Sequence, residues 1–171
     1  MLDTERILAM IHHVLVPTDG SENAERAVRF SAQVADRRQQ AEVTVVYVHL
    51  LMTHAPLGMA TLTPENPLQV APVIAEMEAA AAPEERTQAQ AIVDRAVAEI
   101  RSLVTSPDVT VSGRVVEHTR VDEGILQAAE ETQADIIVVG TRGLSALRGA
   151  IMGSVSHSLI EKATCPVLVV K

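Results

Sequence analysis

Aliphatic residues in this chain come in short, almost unbroken runs, and between the runs the apolar positions recur at helical spacing. Residues 14–17 (VLVP) form the first run, 43–51 (VTVVYVHLL) the second, 136–139 (IIVV) the next and 166–170 (PVLVV) the last. Runs this short, bounded by turn residues, read as strands buried on both faces. Val109, Val111, Gly113 and Val115 alternate with polar residues, the pattern of a strand with one wetter face. After Ser21, an N-cap residue type, Ala24, Ala27, Val28, Ser31, Val34 and Ala35 mark one face of a helix. Ile92, Ala96, Ile100, Leu103 and Val104 mark a second helix within 84–104. Ile125, Leu126 and Ala129 mark a third, which Thr119 can cap, and residues 154–163 a fourth. Strand and helix therefore alternate. With right-handed crossovers, the simplest arrangement is an α/β fold: a doubly wound, five-stranded parallel sheet with helices on both faces.

A chain of 171 residues suits one domain, 1–171. Aromatics make up 1% of it, so the core must be built from Val, Ile, Leu and Ala. A net charge of −8 argues against nucleic acid or an anionic membrane as partner, and the scarcity of stacking rings argues further against single strands. The lone Cys165 leaves no internal disulfide and fits a reducing compartment. Residues 1–10 carry Asp3 and Glu5 and do not read as a signal peptide, and no apolar run approaches the ~20 residues of a spanning helix. These features point to the cytoplasm.

Residues 52–83 break the pattern. They hold Pro56, Pro64, Pro67, Pro72 and Pro83 with Met52, Met59 and Met77, and read as an insertion that is either a linker or a partner surface. Its second half, 68–82, can form a helix begun near Pro72.

Two strand ends carry unusual chemistry. The first leads into Asp19-Gly20-Ser21, and the one at 136–139 into Gly140-Thr141-Arg142-Gly143. Gly140 and Gly143 open backbone conformations closed to other residues, so successive N–H groups can converge. Gly153-Ser154 then opens a helix whose first N–H groups and dipole favour an anion. Ser154 and Ser156 add hydroxyls, though Ser156 could be only a first-turn serine, and Arg142 and Arg148 could supply positive charge or be solvated surface residues. The set reads as a phosphate cradle. It is neither a P-loop, since the chain has no Gly-Lys pair, nor an early Gly-x-Gly-x-x-Gly dinucleotide turn. Asp19 alone could equally cap the helix that follows it. The six histidines show no zinc spacing, and Cys165 reads as a small core hydrophobe.

With these residues in view, the chain resembles the universal stress protein family in its nucleotide-binding branch. The resemblance rests on "HHVLVPTDGSENAERAVRFSAQVA", "ADIIVVGTRG" and "GSVSHSLIEKATCPVLVVK", with Gly-x2-Gly-x9-Gly-Ser coupled to the strand-end Asp19. It covers nearly everything except residues 1–10 and 52–83. The resemblance implies strand order 3-2-1-4-5 and a bound adenine nucleotide such as ATP. It places Pro17, Thr18 and Asp19 at the nucleoside, the Val48 main chain at the base, and Gly140, Gly143, Gly153, Ser154 and Val155 at the phosphates. It also implies a homodimer formed through residues 166–170, an apolar edge strand of the kind that tends to be paired. The chain departs from the family at Thr119-Arg120-Val121, where many relatives have Gly-x-Pro, and at His49, where an aliphatic residue is usual.

Phosphoryl transfer needs charge stabilisation and an oriented nucleophile. The cradle offers the first. For the second, no Asp, Glu, Gln or His in the motif is convincing; His157 beside Ser156 is the best candidate and could as easily face solvent. The chain therefore reads as an ATP-binding regulatory module with slow or absent hydrolysis. Mg2+ is left open as a companion of ATP, since no paired-carboxylate site is visible. Other readings stay open: a weak ATPase or autophosphorylating protein using Ser154 or Ser156, or an interaction protein acting through 52–83. A flavin carrier ranks last for want of aromatic rings.

Overall fold

The chain alternates strand and helix as the sequence spacing predicts: β1 (His13–Pro17), α1 (Glu22–Asp36), β2 (Ala41–Leu50), α2 (Val70–Leu103), β3 (Val109–His118), α3 (Val121–Glu131), β4 (Ile136–Gly140), α4 (Ser154–Lys162) and β5 (Val167–Val170). The computed structural model describes residues 11–36, 40–51, 70–143 and 152–171, with side chains for all of these except 70–82. Expectations for residues 1–10 and 52–69 and for Arg148 lie outside the described residues.

All strand pairs are parallel, and the sheet order is β3-β2-β1-β4-β5. Val14 stands beside Val43 on one side and Ile136 on the other, so β1 lies at the centre with β4 next to it. Successive side chains point to opposite faces. Val14, Val16, Val43, Val45 and Val138 join Ala27, Val28, Val93 and Ile100 of α1 and α2 in one core layer. Leu15, Val46, Ile137 and Val139 join Ile125, Ala128 and Leu159 of α3 and α4 in the other. Two buried faces explain the unbroken apolar runs, because each such aliphatic side chain contributes about 1.5–3 kcal/mol on leaving water. On β3, an edge strand, buried and exposed positions are mixed, as its sequence predicts.

Helix boundaries depart from the sequence reading in two places. Helix α2 is one continuous element of 34 residues, about 51 Å long at ~1.5 Å per residue, rather than two pieces meeting near Pro83. Pro72 falls in its first turn, where a missing N–H costs nothing. Pro83 lies inside the helix beside the alanine run 79–82, and strong helix formers there offset part of its cost. At the start of α3, Thr119 does not cap. Arg120 holds the N-cap position without a side-chain bond to the backbone. Its guanidinium instead pairs with Asp122 at 2.8 Å and Glu123 at 2.9 Å, first-turn acids that also suit the helix dipole. Ser21 does cap α1, its hydroxyl accepting the Ala24 N–H at 3.3 Å.

Asp122 also ties α3 to α4. The Ser158 hydroxyl donates to its Oδ2 at 2.6 Å and the Lys162 ammonium at 3.2 Å, joining Arg120 on the same oxygen. Burial of this carboxyl opposes ionisation, yet its three donors outweigh that and hold it well below the usual carboxylate range. A carboxylate with a depressed folded-state pKa adds stability above its ordinary value of 3.8, and loses it as the pH falls below that. Asp122→Ala should therefore cost about 2 kcal/mol at neutral pH, within the range for hydrogen bonds to a charged group. The gap to wild type should narrow below about pH 4, as urea unfolding at pH 7 and pH 3 will measure.

Among the described residues, no helix is long and apolar enough to cross a membrane. Cys165 is half-buried against the second core layer, and burial pushes its thiol pKa up.

Candidate functional site

Helix α1 follows β1 onto one face of the sheet, and α4 follows β4 onto the other. The chain thus diverges at the carboxyl ends of two neighbouring strands, where an open parallel sheet leaves a crevice.

On the β1 side, Thr18 is buried, and its N–H bonds the Val46 carbonyl at 2.9 Å. Gly20 then turns the chain at φ +76°, in the left-handed region that favours glycine. Asp19 Oδ1 accepts the Ser21 N–H at 3.0 Å, shaping the loop while Ser21 takes the cap.

On the β4 side, Thr141 N–H continues the sheet to the Val170 carbonyl at 3.0 Å, and Gly153 N–H returns to the Thr141 carbonyl at 2.7 Å. That bond brings the start of α4 back to the end of β4. Gly153 is the α4 N-cap and, among the described residues, no side chain caps this helix end, while Ser154, Val155 and Ser156 of its first turn line the crevice. The Ser156 hydroxyl lies 3.1 Å from the Thr141 carbonyl and 3.0 Å from that of Gly153, which engages its proton within the cradle.

Neither Gly140 nor Gly143 takes the left-handed backbone that glycine allows. Among the described residues, positive φ occurs only at Gly20 and Gln133. These two glycines supply room instead. A β-carbon on Gly140 would stand 2.6 Å from the Asn23 carbonyl oxygen, and one on Gly143 would overlap the Asp19 carboxylate. The strand-end Asp and the glycine motif are thus in direct apposition.

The crevice has a volume of about 590 Å³. Pro17, Thr18, Asp19, Val48, Gly140, Arg142, Gly143, Gly153, Ser154, Val155 and Ser156 all line it, so every site residue expected from the sequence among the described residues meets in one cavity. Its lining also includes the apolar side chains of Val46, Val139, Ile92 and Ile125. Sequence reasoning missed one wall. Glu85, Gln88 and Ile92 of α2 line the crevice, as do His49 and Leu50 at the end of β2. Positions 85, 88 and 92 share a helix face, a spacing that could have signalled a common wall. His49 Nε2 stands 3.6 Å from Glu85 Oε2. The His157 ring, in contrast, is 65% exposed and pairs with Glu161 at 3.5 Å, and it does not line the crevice. Among the described residues, no group of three or more His, Cys, Asp or Glu could hold a metal ion.

Comparison with known proteins gives a consistent result. The model of the universal stress protein family matches residues 10–171. Universal stress protein YxiE of Bacillus subtilis is 28% identical, over 95% of this chain and all of its own length. The solved structure of hypothetical protein MJ0577 superposes with a TM-score of 0.73 at 25% identity, covering 95% of this chain and 96% of its own. Two further structures share the fold: a universal stress protein in complex with cAMP (TM-score 0.57, 23% identity, 94% and 96% covered), and an Arabidopsis thaliana family protein with AMP bound (0.59, 16%, 94% and 91%). The family match spans nearly the whole chain, and the five-stranded parallel sheet in order 3-2-1-4-5 agrees with it: the chain belongs to the universal stress protein family.

Proposed function

We propose that this chain is a stress-response regulatory module that binds an adenine nucleotide, ATP first among them, in the crevice between β1, β2 and β4. The observation that carries the reading is the convergence of the uncapped α4 N-terminus with Gly140, Gly143 and Asp19 on one cavity. First-turn N–H groups and a helix dipole form an anion site that needs no side-chain charge, and Arg142 adds one. The two relatives whose structures hold cAMP and AMP support an adenine ligand. Phosphates would sit at Gly143, Gly153, Ser154 and Val155, with the base at the Val48 main chain. Mg2+ would enter with the phosphates, the chain's own nearby anion being Asp19.

The protein works here as a receptor. The Ser156 proton is engaged by main-chain carbonyls, and His157 lies off the crevice. Neither arrangement orients a nucleophile, which supports slow or absent phosphoryl transfer and leaves the Ser154 hydroxyl as the candidate of the alternative reading. The module is cytoplasmic and comprises a single domain, and it pairs through β5. That strand lies at the sheet edge with all four residues only half-buried, the kind of apolar edge that proteins pair or cover.

Heat release of the purified protein followed by mass spectrometry tests the central reading. Stoichiometric ATP or AMP is expected. Time-dependent ADP from added ATP that disappears in Ser154→Ala would instead favour the phosphoryl-transfer alternative. Absence of both bound nucleotide and any thermal shift with adenine nucleotides would favour an interaction protein. Sedimentation velocity should give the mass of two chains.

A further inference from the structure

The wall that α2 adds to the crevice carries chemistry of its own. Odd-numbered residues of β2 from Val43 to Tyr47 pack toward α1 and α2, so the same alternation turns His49 toward α2, where Glu85 stands 3.6 Å from its Nε2. His49 keeps 13% of its side-chain surface exposed, whereas Glu85 keeps 57% and remains open to a ligand. Gln88 lies one turn further along the same helix face and also lines the cavity. These three side chains make a polar wall on the β2 side of the crevice, two strands from β4.

Its position says which part of a nucleotide it meets. The cradle sits at β4, and His49 at the end of β2, with β1 between them. Two strand spacings separate them, roughly 10 Å. A nucleotide anchored by its phosphates at α4 therefore presents its base, not its phosphates, to α2.

We propose that Glu85 and Gln88, with His49 behind them, read the six-position edge of the purine. The inference rests on the adenine-nucleotide reading above and deepens it. A carboxylate only accepts hydrogen bonds, and an amide both accepts and donates. Together they suit an edge on which an exocyclic amino donor adjoins a ring-nitrogen acceptor, as in adenine. The amino group has two hydrogens, so the Val48 main chain and Glu85 can each take one. Hypoxanthine carries an oxo group there instead, which sets an acceptor against the Glu85 carboxylate.

Calorimetric titration of the full chain with ATP and with ITP tests this. Wild type should prefer ATP by about tenfold or more, the factor expected for one hydrogen bond to a charged group. Glu85→Gln replaces an obligate acceptor with an amide that can donate to the oxo group. It should weaken ATP, spare or strengthen ITP, and bring the ratio to within about threefold. Gln88→Leu should lower the same ratio. Both positions are exposed on α2, so thermal unfolding should not change. ATP binding with a ratio unaltered in both variants overturns this inference and leaves the nucleotide reading standing. Failure of wild type to bind ATP overturns both.

Discussion

Gly153→Val is expected to abolish ATP binding while leaving the fold intact. The Gly153 backbone, at φ −79° and ψ 159°, is open to any residue. A bare β-carbon there meets Arg142 Cα and the Thr141 carbonyl oxygen at 3.4 Å and Ser156 Oγ at 3.8 Å, which is ordinary contact. The protein itself therefore tolerates a side chain. Valine is a poorer N-cap than glycine, at a cost of about 1 kcal/mol, which lowers Tm by roughly 2–4 °C for a chain of this size. The cradle is less tolerant. Two γ-methyl groups at the N-cap crowd the point where the α4 N–H groups converge, and losing even two charge-assisted hydrogen bonds weakens binding about a hundredfold or more. Calorimetry and thermal unfolding on the same sample separate the two effects. Unchanged affinity would remove the phosphates from this position.

Gly140→Val should do the opposite first, striking the fold itself. The nearest neighbours of an added β-carbon are main-chain atoms: the Asn23 carbonyl oxygen at 2.6 Å, its carbon at 2.7 Å and the Ala24 nitrogen at 3.1 Å. Backbone cannot swing aside as the end of a side chain can. Either the first turn of α1 or the end of β4 must move; β4 is buried throughout, and Ala24 is buried against it in α1. Overpacking of this kind costs about 3 kcal/mol, or roughly 6–12 °C in Tm. Because the shift separates the two strand ends that frame the crevice, nucleotide binding should fall with stability. Urea unfolding will show whether the midpoint drops. If Gly140→Val and Gly153→Val behaved alike in stability, the distinction drawn here between packing and ligand space would be wrong.

Much of this architecture is written in the pattern of apolar residues, for a physical reason. A central parallel strand is buried on both faces, so VLVP and IIVV need no partner knowledge to be recognised. The residues that line the β4 side of the crevice were equally legible, because glycine spacing before a helix start is a local signal. Part of what escaped the sequence is a local competition, and part depends on contacts between distant segments. Thr119 has the chemistry of a cap, yet Arg120 takes that position because Asp122 and Glu123 engage its guanidinium. Asp122 looks like an ordinary first-turn acid until α4 brings Ser158 and Lys162 to it. Gly140 and Gly143 were legible as glycines but not in their purpose, since the Asn23 backbone and the Asp19 carboxylate that fill the space beside them come from another strand–helix junction. Glu85 and Gln88 were hidden by Pro83, which marks a break in the sequence but lies within a continuous helix.

In the proposed function, main-chain amides at the β4–α4 junction grip a chain of phosphates. A crystal soaked in ATP examines that directly. The expected map shows triphosphate density between Gly143 and Ser154, with the base running toward Val48. A map in which the protein's own side chains occupy that hollow, with no triphosphate density, would contradict it.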